Sequence, residues 1–346
     1  MPQDEKKVLS PAAVASVQKV HGSAVAEFLD PEKPRANVVG LGIGVKHKNG
    51  EATGEPALLV LVTHKIDKTQ LSSADLVPPK LQDMQTDVLA IGFPFAGGDP
   101  GASTQSLAKR IRPAKGGYSV GHIAITAGTI GTCAYDILPS GVVSPPTHGV
   151  GIPPKFYILS NNHVLANVNA ASLGDPILQP GPVDGGTDPA DRIARLSRFI
   201  PITLEPPIPR ALHRNLVDCA VAQGEFHDLD REIYWSGAVR GWRPKANVTV
   251  GTVVKKTGRT TNFTTGRITT ISATVDVGYG GGRVGRFIDQ IVTTPISAGG
   301  DSGSLVTTLD NVAVGLLFAG SSISTIANQI ENVRALLRVE VAEQIL

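Results

Sequence analysis

The stretch Ile296-Ser297-Ala298-Gly299-Gly300-Asp301-Ser302-Gly303-Ser304-Leu305-Val306 restricts this chain more than any other. A polar Gly/Asp/Ser knot sits between two apolar runs, Gln290-Ile291-Val292 and Leu305-Val306. Both runs read as strands, so the knot is expected to be a tight turn at a sheet edge. Glycines at 299, 300 and 303 allow positive φ and bring backbone N–H groups close together. A serine on such a turn can present its hydroxyl beside converging amides, the geometry that holds a developing oxyanion. Alone, the stretch also reads as a plain Gly-rich hairpin turn. Its chemistry depends on partners elsewhere in the chain.

Two further stretches supply them. Tyr157-Ile158-Leu159-Ser160-Asn161-Asn162-His163-Val164-Leu165 places a histidine just after an apolar strand. Asn215-Leu216-Val217-Asp218-Cys219-Ala220-Val221-Ala222 places an acid at the start of another. A serine hydroxyl is a poor nucleophile at neutral pH and needs a base to take its proton. His163 suits that role, and Asp218 would fix its tautomer and offset the imidazolium charge. The chain order His163, Asp218, Ser302 is that of the chymotrypsin arrangement. α/β-Hydrolases run Ser, acid, His, and subtilisins run Asp, His, Ser. The hydrolase elbow also needs Gly two residues after the nucleophile, where this chain has Ser304.

At these residues the chain resembles the trypsin-like (chymotrypsin-fold) serine proteases, in their bacterial style, through "ILSNNHVL", "NLVDCAVA" and "GGDSGSLV". A fourth stretch, Val253 to Gly266 ("VVKKTGRTTNFTTG"), is similar to the second-barrel hairpin of such enzymes. With its extra N-terminal piece the chain looks most like the narrow-leaf-type group, known in plants with bacterial relatives. The protease resemblance covers roughly residues 115–346. It implies a mainly β fold, a chymotrypsin-like double β-barrel with a C-terminal helix. It also implies an oxyanion hole from the N–H groups of Gly300 and Ser302. Asp301, beside the nucleophile, would be buried and in need of a partner. Cleavage-activated relatives use a new N-terminal amine, but Lys115-Gly116-Gly117-Tyr118 is a poor match to such a start. Bacterial relatives use a basic residue of the hairpin, and the matching position is Lys256. The resemblance puts Ile296 at the base of the specificity pocket and Leu316–Gly320 as the strand that pairs with substrate backbone. Phe318 stands where the family usually has a serine, and Gly320 completes the edge. An apolar base favours a small or apolar P1 residue over Lys or Arg.

Length and composition agree with this reading. With 346 residues, 41% hydrophobic and 18% charged, a large core is available. Gly 38 and Pro 25 favour a β-rich body with many turns. The net charge of +2 and the scattered basic residues argue against a nucleic-acid partner. No apolar run reaches membrane-spanning length, and no signal peptide is expected from the mixed-charge start. The two cysteines, Cys133 and Cys219, fit a reducing, cytoplasmic setting. Cys219 reads as a small core residue.

Along the chain, Ser10-Pro11 opens an expected helix to about Leu29. Strands are expected at 37–45, 56–62 and 86–91, with a short helical segment at 72–76. These form an α+β module, residues 1–95, without an evident acid/base pair. His47 and His64 read as surface histidines, and no metal or cofactor is expected. A Gly/Pro/basic linker spans 96–117. The first barrel is expected at 118–240, with strands including 123–126. Tyr234, Trp235 and Trp242 read as packing aromatics in the crossing to the second half. The second barrel and C-terminal helix take 241–346, with helical spacing over 323–346. The partner expected is a protein or peptide substrate, and related groups that assemble make a homo-oligomer an expectation. The rival to a serine endopeptidase is a low-activity scaffold or regulatory module that keeps the fold.

Overall fold

The computed structural model describes residues 5–35, 37–96, 106–137 and 155–341. Residues 97–105 of the expected linker and 342–346 at the end of the chain lie outside them.

The N-terminal unit starts with α1 (Pro11–Phe28). Ser10 caps it, its hydroxyl accepting from the Ala13 amide at 3.2 Å, and Pro11 takes the first turn, where a missing N–H costs nothing. The helix buries Val17, Val20, His21, Ala24 and Phe28. Strands β1 (Val38–Lys48) and β2 (Glu51–Val62) form a hairpin through Asn49-Gly50, both at positive φ, which the tight right-twisted connection requires. Strand β3 (Met84–Ala90) runs parallel to β2. Residues 72–76 make no helix. The Ser72 hydroxyl donates to Asp75 and the Asp75 amide to the Ser72 carbonyl, a local turn that competes with helix ahead of Pro78-Pro79.

The first half of the protease body contains β4 (Ser119–His122), β5 (Thr132–Asp136), β6 (Phe156–Ser160), the single turn α2 (Asn162–Leu165), β7 (Pro176–Leu178), β8 (Arg192–Phe199) and β9 (Ala220–Gly224). Its sheet runs β5-β6-β9-β8-β7-β4 and ends on the short pair Gly128–Thr129. Ile123 to Thr126 is a turn rather than a strand, closed by the Ala124 amide on the His122 ring and the Ile125 amide on its carbonyl.

The second half contains β10 (Val253–Gly258), β11 (Asn262–Gly278), β12 (Val284–Thr293), β13 (Leu305–Thr308), β14 (Val312–Ser321) and β15 (Ser324–Gln329). The ladder β10-β13-β14-β15-β12-β11 closes because β11 also pairs with β10. Closure covers the edges of β10 and β11 that would otherwise invite pairing with other chains. Among the described residues, the helical spacing of 323–346 is realised in α3 (Ile330–Leu337). Residues 324–329 become β15, held by hydrogen bonds to strands on both sides. A short β16 (Val339–Glu340) then returns to pair with β5 of the first half. Together these make the chymotrypsin-like double β-barrel with a C-terminal helix, preceded by an α+β unit.

That α+β unit has no isolated sheet. Strand β1 pairs antiparallel with the far half of β11, Leu41 opposite Thr274 and Ile43 opposite Ile271, so barrel and N-terminal sheet are continuous. Gly42 permits the approach, since a Cβ there would lie 2.1 Å from the Thr270 methyl. Trp242 is buried under the Arg334 guanidinium, 3.7 Å from its ring, and Tyr234 packs edge-on against Tyr118. Trp235 departs from the packing expected of it and is 76% exposed. His47 and His64 are exposed. No helix among the described residues is long and apolar enough to cross a membrane.

Burial pushes the His21 imidazole below its ordinary value, against the opposing pull of a hydrogen bond to the Leu41 carbonyl and the charge of Asp289. A base with a depressed folded value stabilises the fold fully above its unfolded value of about 6.5, and this is lost as pH falls through the folded one. Urea midpoints are expected to drop from pH about 7.5 to about 5 by more in the wild type than in His21→Leu.

Candidate active site

Strand β6 is followed by the buried pair Asn161-Asn162, and α2, which opens at Asn162, carries His163. Just ahead of β9, Asp218 is fully buried. The two meet directly: His163 Nδ1 lies 2.6 Å from Asp218 Oδ2, and the His163 amide donates to Oδ1 at 3.2 Å. This contact makes Nδ1 the protonated nitrogen and leaves Nε2 as an acceptor. His163 Nε2 has no hydrogen-bond partner among the described residues.

The backbone of Asp218 is fixed as tightly as its carboxylate. Asn161 Nδ2 donates to its carbonyl at 2.7 Å, and its amide donates to Asn328 Oδ1 at 3.0 Å. The Tyr279 hydroxyl donates to Asp218 Oδ2 at 2.8 Å. Burial, with the Asp218 charge added, drives the Tyr279 phenol well above its ordinary value, which keeps it a donor.

The Ser302 turn lies against the His163 strand. Gly303, at φ +97°, packs so closely on Ser160 that a Cβ would come within 2.1 Å of its hydroxyl. Between the two turns sits Thr129. Its amide donates to the Ser302 carbonyl at 2.8 Å and its hydroxyl to the Gly300 carbonyl at 2.8 Å, while its own carbonyl accepts from Ser160 Oγ at 2.7 Å. Gly300 holds φ +93°, a conformation that glycine adopts without strain. The amides of Asp301, Gly303 and Ser304 donate to Ala298, Leu317 and Asp301 carbonyls. Those of Gly300 and Ser302 have no backbone acceptor among the described residues.

Asp301 is fully buried and turned away from the pocket. Lys256 Nζ, itself without exposure, stands 3.2 Å from its Oδ2. The Thr261 hydroxyl donates to the same oxygen at 2.5 Å, and the amides of Thr260, Thr261 and Ala298 complete the shell at 2.8, 3.1 and 3.0 Å. Burial lowers the Lys256 ammonium from its ordinary value, and Asp301 opposes that shift.

Beside Ser302 opens a pocket of about 240 Å³, lined by Ser297, Ala298, Gly299, Leu317, Ala319 and Gly320 among others. Of the three residues expected there, Gly320 lines it and the other two do not. Phe318 is fully buried and packs on Phe287 with ring centroids 4.7 Å apart. It sits between Leu317 and Ala319 on β14, and alternation sends it to the opposite face. Ile296 packs in the core of the second barrel against Gly266, and the following residue, Ser297, reaches the pocket instead. No charged side chain lines the pocket.

No model of a known protein family matches the chain. Over 72 residues it is 42% identical to glutamyl endopeptidase 2 of Streptomyces griseus, which covers 20% of this chain and 34% of that protein. The chain thus spans about a third of that relative's length. Among solved structures, Thermobifida fusca protease A aligns with a TM-score of 0.44 and 15% identity over 66% of this chain and 97% of its own. Nocardiopsis protease aligns with a TM-score of 0.43 and 18% identity over 65% and 97%. The chain carries the fold of the trypsin-like bacterial serine proteases.

Tyr279, Asn328 and Thr129 escaped the sequence reading. Tyr279 sits in Val277-Gly278-Tyr279-Gly280-Gly281-Gly282, which looks like a loose Gly turn. Thr129 and Asn328 are ordinary strand residues in the sequence, and only the fold aims them. Thr260 and Thr261 lie in the hairpin motif beside Lys256 and could have been read with it.

Removing the Lys256 ammonium would leave the Asp301 carboxylate buried without its cation. Lys256→Met is expected to cost about 3–5 kcal/mol of stability, read as a lowered denaturant midpoint with unchanged m-value. A variant as stable as the wild type would show that the hydroxyl and amides alone hold the charge.

Proposed function

We propose that the chain is a serine endopeptidase acting through an acyl-enzyme. The observation that carries this reading is the 2.6 Å contact of His163 with Asp218, just beyond the strand whose Ser160 packs against the Ser302 turn. Ser302 Oγ attacks the peptide carbonyl as His163 Nε2 takes its proton. The oxyanion forms between the Gly300 and Ser302 amides. Collapse breaks the C–N bond, and His163 returns the proton to the leaving amine. Water then repeats the sequence on the ester and frees Ser302. The Tyr279 hydroxyl holds the Asp218 carboxylate in place for His163.

A fluorophosphonate probe is expected to label the wild type and not Ser302→Ala. Asp218→Asn is expected to lower kcat by about 10⁴, the scale for losing the correct histidine tautomer in this arrangement. Retained labelling in Ser302→Ala would end the reading.

The P1 preference we infer is for a small uncharged residue. The relative from Streptomyces griseus is named for glutamyl specificity, but here serines, small residues, Leu317 and Phe95 line the pocket without a cation to meet a carboxylate. Peptides with Ala or Val at P1 are expected to exceed matched Glu and Arg peptides by about 10-fold or more in kcat/KM, because a charge would enter unpaired. Faster turnover of the Glu peptide would reverse that assignment.

We place the chain's kin in the narrow-leaf-type group, on the strength of the four motifs and the added N-terminal unit. A reducing, cytoplasmic setting is supported by Cys133 and Cys219, both free and buried, with burial pushing the Cys133 thiol up to about 12.

A further inference from the structure

We propose that the strap leading out of the N-terminal unit, Ile91 to Ala96, sets how much of an extended peptide this site can read. The proposal rests on the serine-peptidase reading of Ser302. An extended substrate is held chiefly by adding a strand to an open sheet edge. Here that edge is the end of β14. Its start pairs with β13, Leu305 opposite Leu316 and Val306 opposite Gly315, and β13 then leaves it. Beyond that point the Gly303 amide and Ser304 carbonyl take up the backbone of Leu317. At Gly320 the edge is filled by the chain itself. The Phe95 amide donates to the Gly320 carbonyl at 3.2 Å, and the Gly320 amide donates to the Phe95 carbonyl at 3.2 Å. The pairing is antiparallel, and the Phe95 side chain lines the same pocket as Ser302.

The strap is seated on both sides. The Ala96 amide donates to the Gly278 carbonyl at 3.0 Å, and the Gly278 amide to the Pro94 carbonyl at 3.0 Å. Ser321 and Ser324 hydroxyls donate to the Ile91 carbonyl, the latter at 2.8 Å. Gly92 turns the strap at φ +71°, where a Cβ would lie 2.6 Å from Ser321. Ala96 is buried in the cluster of Tyr279 and Phe318. A substrate strand can therefore use the edge only as far as Phe318, two residues short of Gly320. Residues farther from the scissile bond gain no backbone pairing while the strap is seated.

The test compares peptides that share one P1 residue and carry one, two or three residues on its N-terminal side, so that only the shortest lacks the residue that would pair with Gly320. In the wild type, kcat/KM is expected to stay flat across the series. Gly92→Val forces a side chain into Ser321 and unseats the strap. In that variant kcat/KM is expected to rise about 10-fold from the shortest to the longest peptide, through KM, the worth of two recovered hydrogen bonds. Phe95→Pro, which lacks the donor to Gly320, is expected to behave alike, so a folding defect in one variant does not decide the matter. A wild type that already gains 10-fold with length, or unseated variants that stay flat, would overturn the proposal.

Amide hydrogen exchange at Phe95 and Gly320 reads the strap without reference to activity. Slow exchange in the wild type and fast exchange in Gly92→Val support it, and fast exchange in the wild type overturns it. Absent fluorophosphonate labelling with slow exchange would sink the serine reading while leaving the seated strap in place.

Discussion

A carboxylate taken wholly out of water costs several kcal/mol unless its lone pairs are met, and Asp301 is such a group at the centre of this molecule. Its shell is drawn from two places: the Ala298 amide of its own turn, and Lys256, Thr260 and Thr261 of the β10–β11 hairpin. No one of these donors is close to Asp301 in the unfolded chain except Ala298. Satisfying the charge therefore fixes the hairpin against the serine turn. The backbone geometry on which Gly300 and Ser302 depend follows from that docking, because Asp301 lies between them. A site built this way needs no new chain terminus to assemble it.

The same hairpin carries the seam between the two barrels. Arg259 is buried and ion-paired with Asp184 of the first half, which also accepts from Ser119 at 2.6 Å. The Arg259 amide donates to the Thr129 hydroxyl at 3.0 Å, and Thr129 in turn clasps Gly300 and Ser302. His163 comes from the first barrel and Ser302 from the second, so their approach is only as well defined as this seam. Two buried charges and one threonine supply a directional contact that apolar packing alone would leave loose. The terminal strand β16 adds a second tie, pairing with β5 after α3 has crossed back.

How far the sequence reveals this arrangement differs between motifs and edges. The meeting of His163 with Asp218 was legible because a histidine just after one apolar strand and an acid just before another have few uses in packing except each other. Lys256 was legible because a buried acid demands a cation and the hairpin resemblance offered one. Pairing between distant strands left no such trace. Nothing in Leu41 or Ile43 says that their neighbours are Thr274 and Ile271, since β-branched and apolar strands suit many partners equally. Side-chain direction was equally hidden. Phe318 was assigned to the pocket by its position in a motif, and one residue of alternation moved it into the core. Helical spacing held over Ile330–Leu337 but not over 324–329, where hydrogen bonds on both flanks outweigh a weak local preference.

The phenylalanine at 318 and the tyrosine at 279 are best understood together. Both belong to one buried apolar cluster with Phe287. Phe318 packs tilted against Phe287, while Tyr279 reaches across from the end of β11 to donate to the Asp218 carboxylate. Tyr279 also lies over Phe287, with ring centroids 6.1 Å apart, so one aromatic cluster both packs the barrel and holds the acid. Because β11 is the strand that pairs with β1, the hydroxyl on Asp218 stands at the end of the ladder shared with the N-terminal unit. The strap that follows β3 ends against Gly278, the residue preceding Tyr279. The N-terminal unit thus reaches the candidate site at two points, through Gly278 beside the tyrosine that holds Asp218 and through Gly320 at the end of β14.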